Sequence, residues 1–167
     1  MSVAHQTGVS VSSAVRPKVR LVKPTVDSDE RPSGRADLDR LVDAQLRAEH
    51  DGDIEAILAP MADSVVHDLV GALENPVQGL HAVRRRYNEL IAATVHERDV
   101  PLRRLYGPDF VIDEHVWSGR LTGRAFEIDG HGRWLSHRVM WLFQVRDGRI
   151  VRETVWNDLA AIRRQLR

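Results

Sequence analysis

The chain has 167 residues, enough for one domain with a substantial core and too few to expect two. Lys plus Arg and Asp plus Glu both number 24, so no net field draws in nucleic acid or an anionic membrane. Cysteine is absent, which excludes disulfides, thiolate nucleophiles and Cys-based metal sites, and no apolar run approaches the roughly 20 residues that cross a bilayer.

The first stretch, "MSVAHQTGVSVSSAV", has neither a basic leader nor a continuous apolar segment and reads as a poor secretory signal. A cytoplasmic protein with no nucleic-acid and no membrane partner is the expectation. Residues 1–34 are rich in Ser, Val, Pro and basic residues, and "RPK", "KPT" and "RPSG" break every period. They are expected to form a flexible N-terminal tail, followed by a folded domain over 35–167.

From Arg35 the pattern sharpens. Leu38, Leu41, Val42 and Leu46 recur at helical spacing, with Gly52 as C-terminal cap. Asp53 caps a short second helix that Pro60 ends. "DSVVHDL" reads as a strand and "NPVQGLH" as a turn into a long helix. On that helix Leu80, Val83, Tyr87, Leu90, Ile91 and Thr94 share one face, and the arginines 84–86 fall mainly on the solvated faces. After Pro101 the period changes to two, with strands near 101–106, 110–121, 133–145 and 149–157 and a short C-terminal helix. Helices first and a meander afterwards predict an α+β domain, with helices on one face of a curved sheet.

Asp147-Gly148 is a strong two-residue hairpin signal, and it allows the register to be counted. Counting outward pairs Val145 with Ile150, Phe143 with Arg152, Trp141 with Thr154 and Val139 with Trp156. His137, Val139, Trp141, Phe143 and Val145 then share an inward face with Ile150, Thr154 and Trp156. Asn157 faces outward under the same count. On the 110–121 strand, Val111, His115, Trp117 and Leu121 form the better inward set, with Asp113 as the charged misfit. Trp117, Trp141 and Trp156 together carry more indole than a small core needs, so they either fill the core or wall a pocket for a flat apolar ligand.

The strings "HDGDIEAILAPMADSVVHDLV", "PVQGLHAVRRRYNEL", "WSGRLTG", "FQVRDGRIVRETVWND" and the terminal "RRQL" occur in an order and spacing that resemble the SnoaL-like polyketide cyclases. That group lies within the nuclear-transport-factor-2-like and ketosteroid-isomerase-like superfamily, and the resemblance covers roughly 36–167. It implies a cone-shaped α+β barrel, a curved sheet wrapped around a long helix with an apolar pocket open at one end, and commonly a homodimer. In SnoaL-type cyclases an aspartate six residues before the "DG" turn is the base, and Trp141 stands there in this sequence. The epoxide-hydrolase pattern "E-R-x-D" meets Glu114-His115-Val116-Trp117, so its Arg and Asp are missing. Scytalone-dehydratase-like enzymes use histidines on neighbouring strands, and His115 and His137 fit that pattern by type and approximate spacing.

His115 and His137 are therefore the expected catalytic pair, one removing a proton alpha to a carbonyl and the other returning it, in an order left open. Trp117, Trp141, Trp156, Tyr87, His67 and Glu49 are the expected substrate-binding residues. For His67 with its neighbour Asp68, contact with the pocket and packing are equally open. Glu49 either orients a pocket histidine or reaches out from the helix end, and Tyr87 either binds substrate or packs in the core. His50, His96 and His131 fall at helix ends or loops, facing solvent. Glu114 points away from His115, no HExxH or tight His/Asp cluster is visible, and no Gly-rich phosphate loop opens a helix. No metal and no cofactor are expected. The function implied is a cofactor-independent cyclase, dehydratase or isomerase acting on a hydrophobic aromatic, polyketide-like small molecule. The alternative is a binding domain of the same fold that lacks turnover.

Overall fold

The structure, a computed structural model, describes residues 34–167, so the expected tail lies outside the described residues apart from Gly34. Helix α1 (Arg35–Asp51) buries Leu38, Val42, Gln45 and Ala48 on one stripe. Gly52 ends it in the left-handed conformation, φ 69°, with its N–H on the Ala48 and Glu49 carbonyls. Asp53 caps α2 (Ile54–Leu58) by accepting from the Ala56 N–H at 3.1 Å. Strands β1 (Met61–Leu69) and β2 (Val77–Gln78) precede the long helix α3 (Leu80–Ala93).

Helix α3 stops one residue before the periodicity predicts. Thr94 is extended and its hydroxyl donates back to the Leu90 carbonyl at 2.8 Å. Strand β3 (Thr94–Tyr106) therefore starts seven residues ahead of Pro101 and pairs with β4 (Phe110–Leu121) along its whole length. Pro101 is tolerated because β3 is the edge strand and a register break follows Pro101 directly. A small hairpin, β5 (Arg124–Ala125) with β6 (Ile128–Asp129), leads to β7 (Arg133–Arg146) and β8 (Arg149–Asn157). Helix α4 (Leu159–Gln165) closes the chain, capped by Asp158 on the Ala161 N–H at 2.8 Å.

The main sheet runs β2-β1-β8-β7-β4-β3, with β1 parallel to β8 and every other pair antiparallel. The expected α+β layout of helices on one face of a mixed sheet is the one that forms. Val42, Val83 and Tyr87 of the helices pack on Val65, Val111, Phe143 and Ile150 of the strands. One of the three arginines departs from the solvated role expected of it. Arg86 is buried and donates to the Glu74 carbonyl at 2.9 Å, tying α3 to the loop before β2.

The hairpin count holds for Arg146–Arg149 and Val145–Ile150 and then fails by one residue. Val151 is an extra residue in β8, so Gln144 faces Arg152, Trp141 faces Val155 and Val139 faces Asn157. Such a bulge reverses the facing of every later side chain on its strand. Glu153, Val155 and Asn157 turn to the concave side, while Thr154 and Trp156 leave the inward face the count gave them. A second bulge lies in β3 at Glu97, where His96 pairs with Gly119 but Arg98 pairs with Ser118.

Gly119 is required at that bulge. A Cβ there would run into the Val95 carbonyl oxygen and the Trp117 indole. Gly119→Ala is expected to destabilise the domain by about 1–3 kcal/mol, the usual cost of overpacking. Thermal melting of the variant against the parent protein checks this, and an unchanged Tm refutes it.

Candidate active site

A cavity of about 130 Å³ lies between the concave face of the sheet and helices α1 and α3. Trp117, Trp141, Leu90, Ile91, Val139 and Val155 supply its apolar walls. Its polar lining comes from Glu49, His67, Tyr87, Thr94, His96, Asp99, His137 and Asn157. A dry cavity of ~150 Å³ holds a benzene ring, so this one encloses about one ring and the remainder of a larger ligand has to extend through the opening.

Of the residues singled out in the sequence, His137, Trp117, Trp141, Tyr87, His67 and Glu49 line this cavity. Trp156 does not: the Val151 bulge puts it opposite Met140, on the other face of the sheet. His115 faces the concave side, as expected for its strand, yet it is one layer back from the cavity. Its ring meets the edge of Trp141, with centroids 5.4 Å apart, and its Nε2 points to Asp113 Oδ1 at 3.2 Å. Burial raises the Asp113 pKa, but hydrogen bonds from His115 and Arg104 outweigh it and leave that carboxyl below its ordinary value.

His137 sits opposite Trp117 in the β4–β7 ladder, with ring centroids 5.4 Å apart. Its Nε2 is 2.8 Å from Asn157 Oδ1, a contact that exists only because the bulge turns Asn157 inward. With the amide oxygen accepting, the proton resides on Nε2 and the Nδ1 lone pair has no hydrogen-bond partner. Burial lowers the His137 pKa, and Asn157 offsets only part of that. His67 is neutral, since burial, helped by the charge of Arg86, drives its pKa to about 4.

The floor of the cavity holds a carboxyl pair that sequence reasoning saw only in half. Tyr87 Oη lies 3.1 Å from Glu49 Oε1 and 2.8 Å from Glu153 Oε1. One hydroxyl hydrogen serves one carboxylate, and two buried like charges so close are costly, so the pair retains a proton. Burial raises Glu153 well above its ordinary pKa, and the neighbouring Glu49 charge raises it further. Burial also lifts Glu49, to about 7, against the opposing hydrogen bonds from Tyr87 and Gln45. Glu49 turns into the cavity rather than out from the helix end, whereas Glu153 is fully buried behind it. No local signal marks Glu153, because its inward facing depends on the bulge two residues earlier.

The cavity edge differs most from the sequence reading. His96 is on strand β3 and lines the cavity, with its ring 5.2 Å from Trp117. Its Nε2 is 2.9 Å from Asp99 Oδ2, and His50 at the end of α1 brings Nδ1 to 3.9 Å from the same oxygen. The expected absence of a tight His/Asp cluster is thus corrected: His50, His96 and Asp99 place their ligand atoms within 4.8 Å of one another. Residues 96 and 99 would lie on opposite faces of a regular strand, and the Glu97 bulge restores them to one face.

A carboxyl whose pKa is raised on folding stabilises the protein below its unfolded pKa, and that contribution is lost as pH rises through the folded value. Glu153→Gln removes this loss. The Tm difference, variant minus parent, is therefore expected to grow by roughly 3–5 °C between pH 5 and pH 8, the equivalent of about 1 kcal/mol. A pH-independent difference would show that the pair does not hold its proton.

A family model of SnoaL-like polyketide cyclases matches residues 37–166. Among solved structures, TsrD from Streptomyces laurentii is similar at 20% identity and TM-score 0.69, covering 80% of this chain and 97% of its own. A polyketide cyclase candidate from Xanthomonas campestris pv. campestris matches at 25% identity and TM-score 0.69, over 81% of this chain and all of that one (100%). An LEH-like epoxide hydrolase from M. tuberculosis matches at 19% identity and TM-score 0.63, over 78% of this chain and 90% of that one. No curated protein matches the sequence.

Proposed function

Because the chain belongs to the SnoaL-like polyketide cyclase family, we propose that it is an acid–base enzyme acting on a small aromatic molecule with an enolisable or phenolic carbon. The observation that carries this reading is that His137, with an unpartnered Nδ1, and Glu49, one half of a proton-sharing pair, line the same indole-walled cavity. His137 Nδ1 takes the proton from carbon. Glu49, supplied with a proton by its pairing to Glu153 through Tyr87, gives one to the oxygen on which charge develops. Trp117 and Trp141 hold the ring and keep water out. Cyclisation, isomerisation and dehydration all begin with that proton transfer, so the geometry supports the shared step. His115 acts behind the wall, not on the substrate.

The step can be tested without the natural substrate. 2-Tetralone carries one aromatic ring and acidic C–H groups beside a ketone, and its hydrogen–deuterium exchange in D2O is followed by NMR. The protein is expected to accelerate exchange, and His137→Ala to lose about 10²-fold or more of that rate. The parent rate should fall as pH drops through a value below the ordinary histidine pKa of ~6.5, where His137 becomes protonated. Exchange at the buffer rate, or full exchange in His137→Ala, would reject the reading.

A second reading has its own observation in Trp141, which lines the cavity at the position where the family resemblance puts an aspartate base. It makes the protein a binding domain. Tight binding of 2-tetralone with no exchange at any pH would favour it.

A further inference from the structure

Around Asp99 the structure gathers more histidine than ion pairing needs. His50 comes from the last turn of α1, His96 from the other side of the β3 bulge, and His115 from β4. His115 Nδ1 is 4.0 Å from Asp99 Oδ1, opposite the oxygen that faces His50 and His96. Three of these atoms, His96 Nε2, Asp99 Oδ1 and His115 Nδ1, are buried without a hydrogen-bond partner. Although His96 Nε2 and Asp99 Oδ2 are 2.9 Å apart, they are not aligned as donor and acceptor. Buried polar atoms are normally satisfied, so two orphaned histidine nitrogens beside a carboxylate with an orphaned oxygen of its own need a common explanation.

We infer that His50, His96 and Asp99 form a binding site for a first-row divalent transition ion such as Zn²⁺, with His115 as a supporting residue on the other oxygen of Asp99. Two atoms bound to one ion at about 2.0–2.1 Å in a tetrahedron lie about 3.3 Å apart. The observed 2.9 and 3.9 Å from Asp99 to the two histidines bracket that separation, and all three ligand atoms lie within 4.8 Å of one another. Imidazole with carboxylate suits Zn, Fe, Co or Ni, not Mg²⁺ or Ca²⁺, which prefer all-oxygen shells.

The outer layer also has the form of a metal site. A ligating histidine usually donates its other N–H to a carboxylate, which fixes the lone pair on the ion. His115 Nε2 faces Asp113, and Asp113 is itself held by Arg104 Nε at 2.8 Å. Its Nδ1 faces Asp99 Oδ1 at 4.0 Å, and neither atom has a hydrogen-bond partner. His96 and Asp99 also line the cavity, so an ion there would have a coordination position open to a substrate oxygen or to water.

The site stands on its own geometry, and its test reads binding, not turnover. Full-length protein without an affinity tag, stripped by a chelator, is titrated with ZnCl2 by calorimetry. One ion per chain is expected. His50 is 43% exposed at its side chain, so His50→Ala keeps the fold while weakening binding by about tenfold or more. His96→Ala is expected to weaken binding at least as much, whereas His137→Ala leaves it unchanged. Absence of binding in the parent protein, or parent-level binding by both His50→Ala and His96→Ala, overturns the proposal and leaves the cluster as a histidine–aspartate pairing. Zn²⁺ binding with no 2-tetralone exchange would retain the ion site and reject only the acid–base reading.

Discussion

Two single-residue bulges control what this protein presents to its cavity. A strand alternates with a period of two, so one inserted residue exchanges the buried and outward sets from that point on. Val151 does this in β8, bringing in Glu153 and Asn157 and taking Trp156 out. Glu97 does it in β3, setting His96 and Asp99 on one face. Without the first, His137 has no Asn157 and Glu49 no partner carboxyl. Without the second, the histidines at the cavity edge have no common aspartate.

The resulting interior is polar for a small domain, and its polarity is layered. Buried Glu153 and Tyr87 lie behind Glu49. His67 and His137 line the cavity among indole and aliphatic walls, and the Asp99 cluster lies by the end of α1. Burial opposes charge on Glu49, Glu153, His67 and His137, so these groups burden stability. Hydrogen bonds and proton sharing offset part of that cost. A domain that retains such a set in place of a hydrocarbon core holds protons and lone pairs where a ligand would sit, and a ring of benzene size is what the enclosed volume admits.

Family membership and fold narrow the chemistry without choosing it. Structures of this shape with 19–25% identity include a polyketide cyclase candidate and an epoxide hydrolase, and such distant likeness reports the scaffold. The site residues differ from the pattern of either type. By the sequence resemblance, Trp141 stands where the cyclase aspartate is expected, and Glu114-His115-Val116-Trp117 stands where the epoxide-hydrolase Arg and Asp are expected. The acid–base groups that remain come from α1, α3, β7 and β8, so the proposed chemistry belongs to this chain's own arrangement.

The sequence by itself determined the order of the main elements, the α+β layout and the inward face of β4, since periodicity is a local property and Val111, His115, Trp117 and Leu121 express it directly. It also marked His137, Trp117, Trp141, Tyr87, His67 and Glu49, all of which line the cavity. Only the tertiary structure decided the pairing of Glu49 with Glu153, the partner of His137, the withdrawal of His115 behind Trp141 and the meeting of His50, His96 and Asp99. The physical reason is one of register. Facing along a strand is inherited residue by residue from the turn that starts it, and a bulge is set by packing against neighbouring strands, which no local pattern in β3 or β8 records.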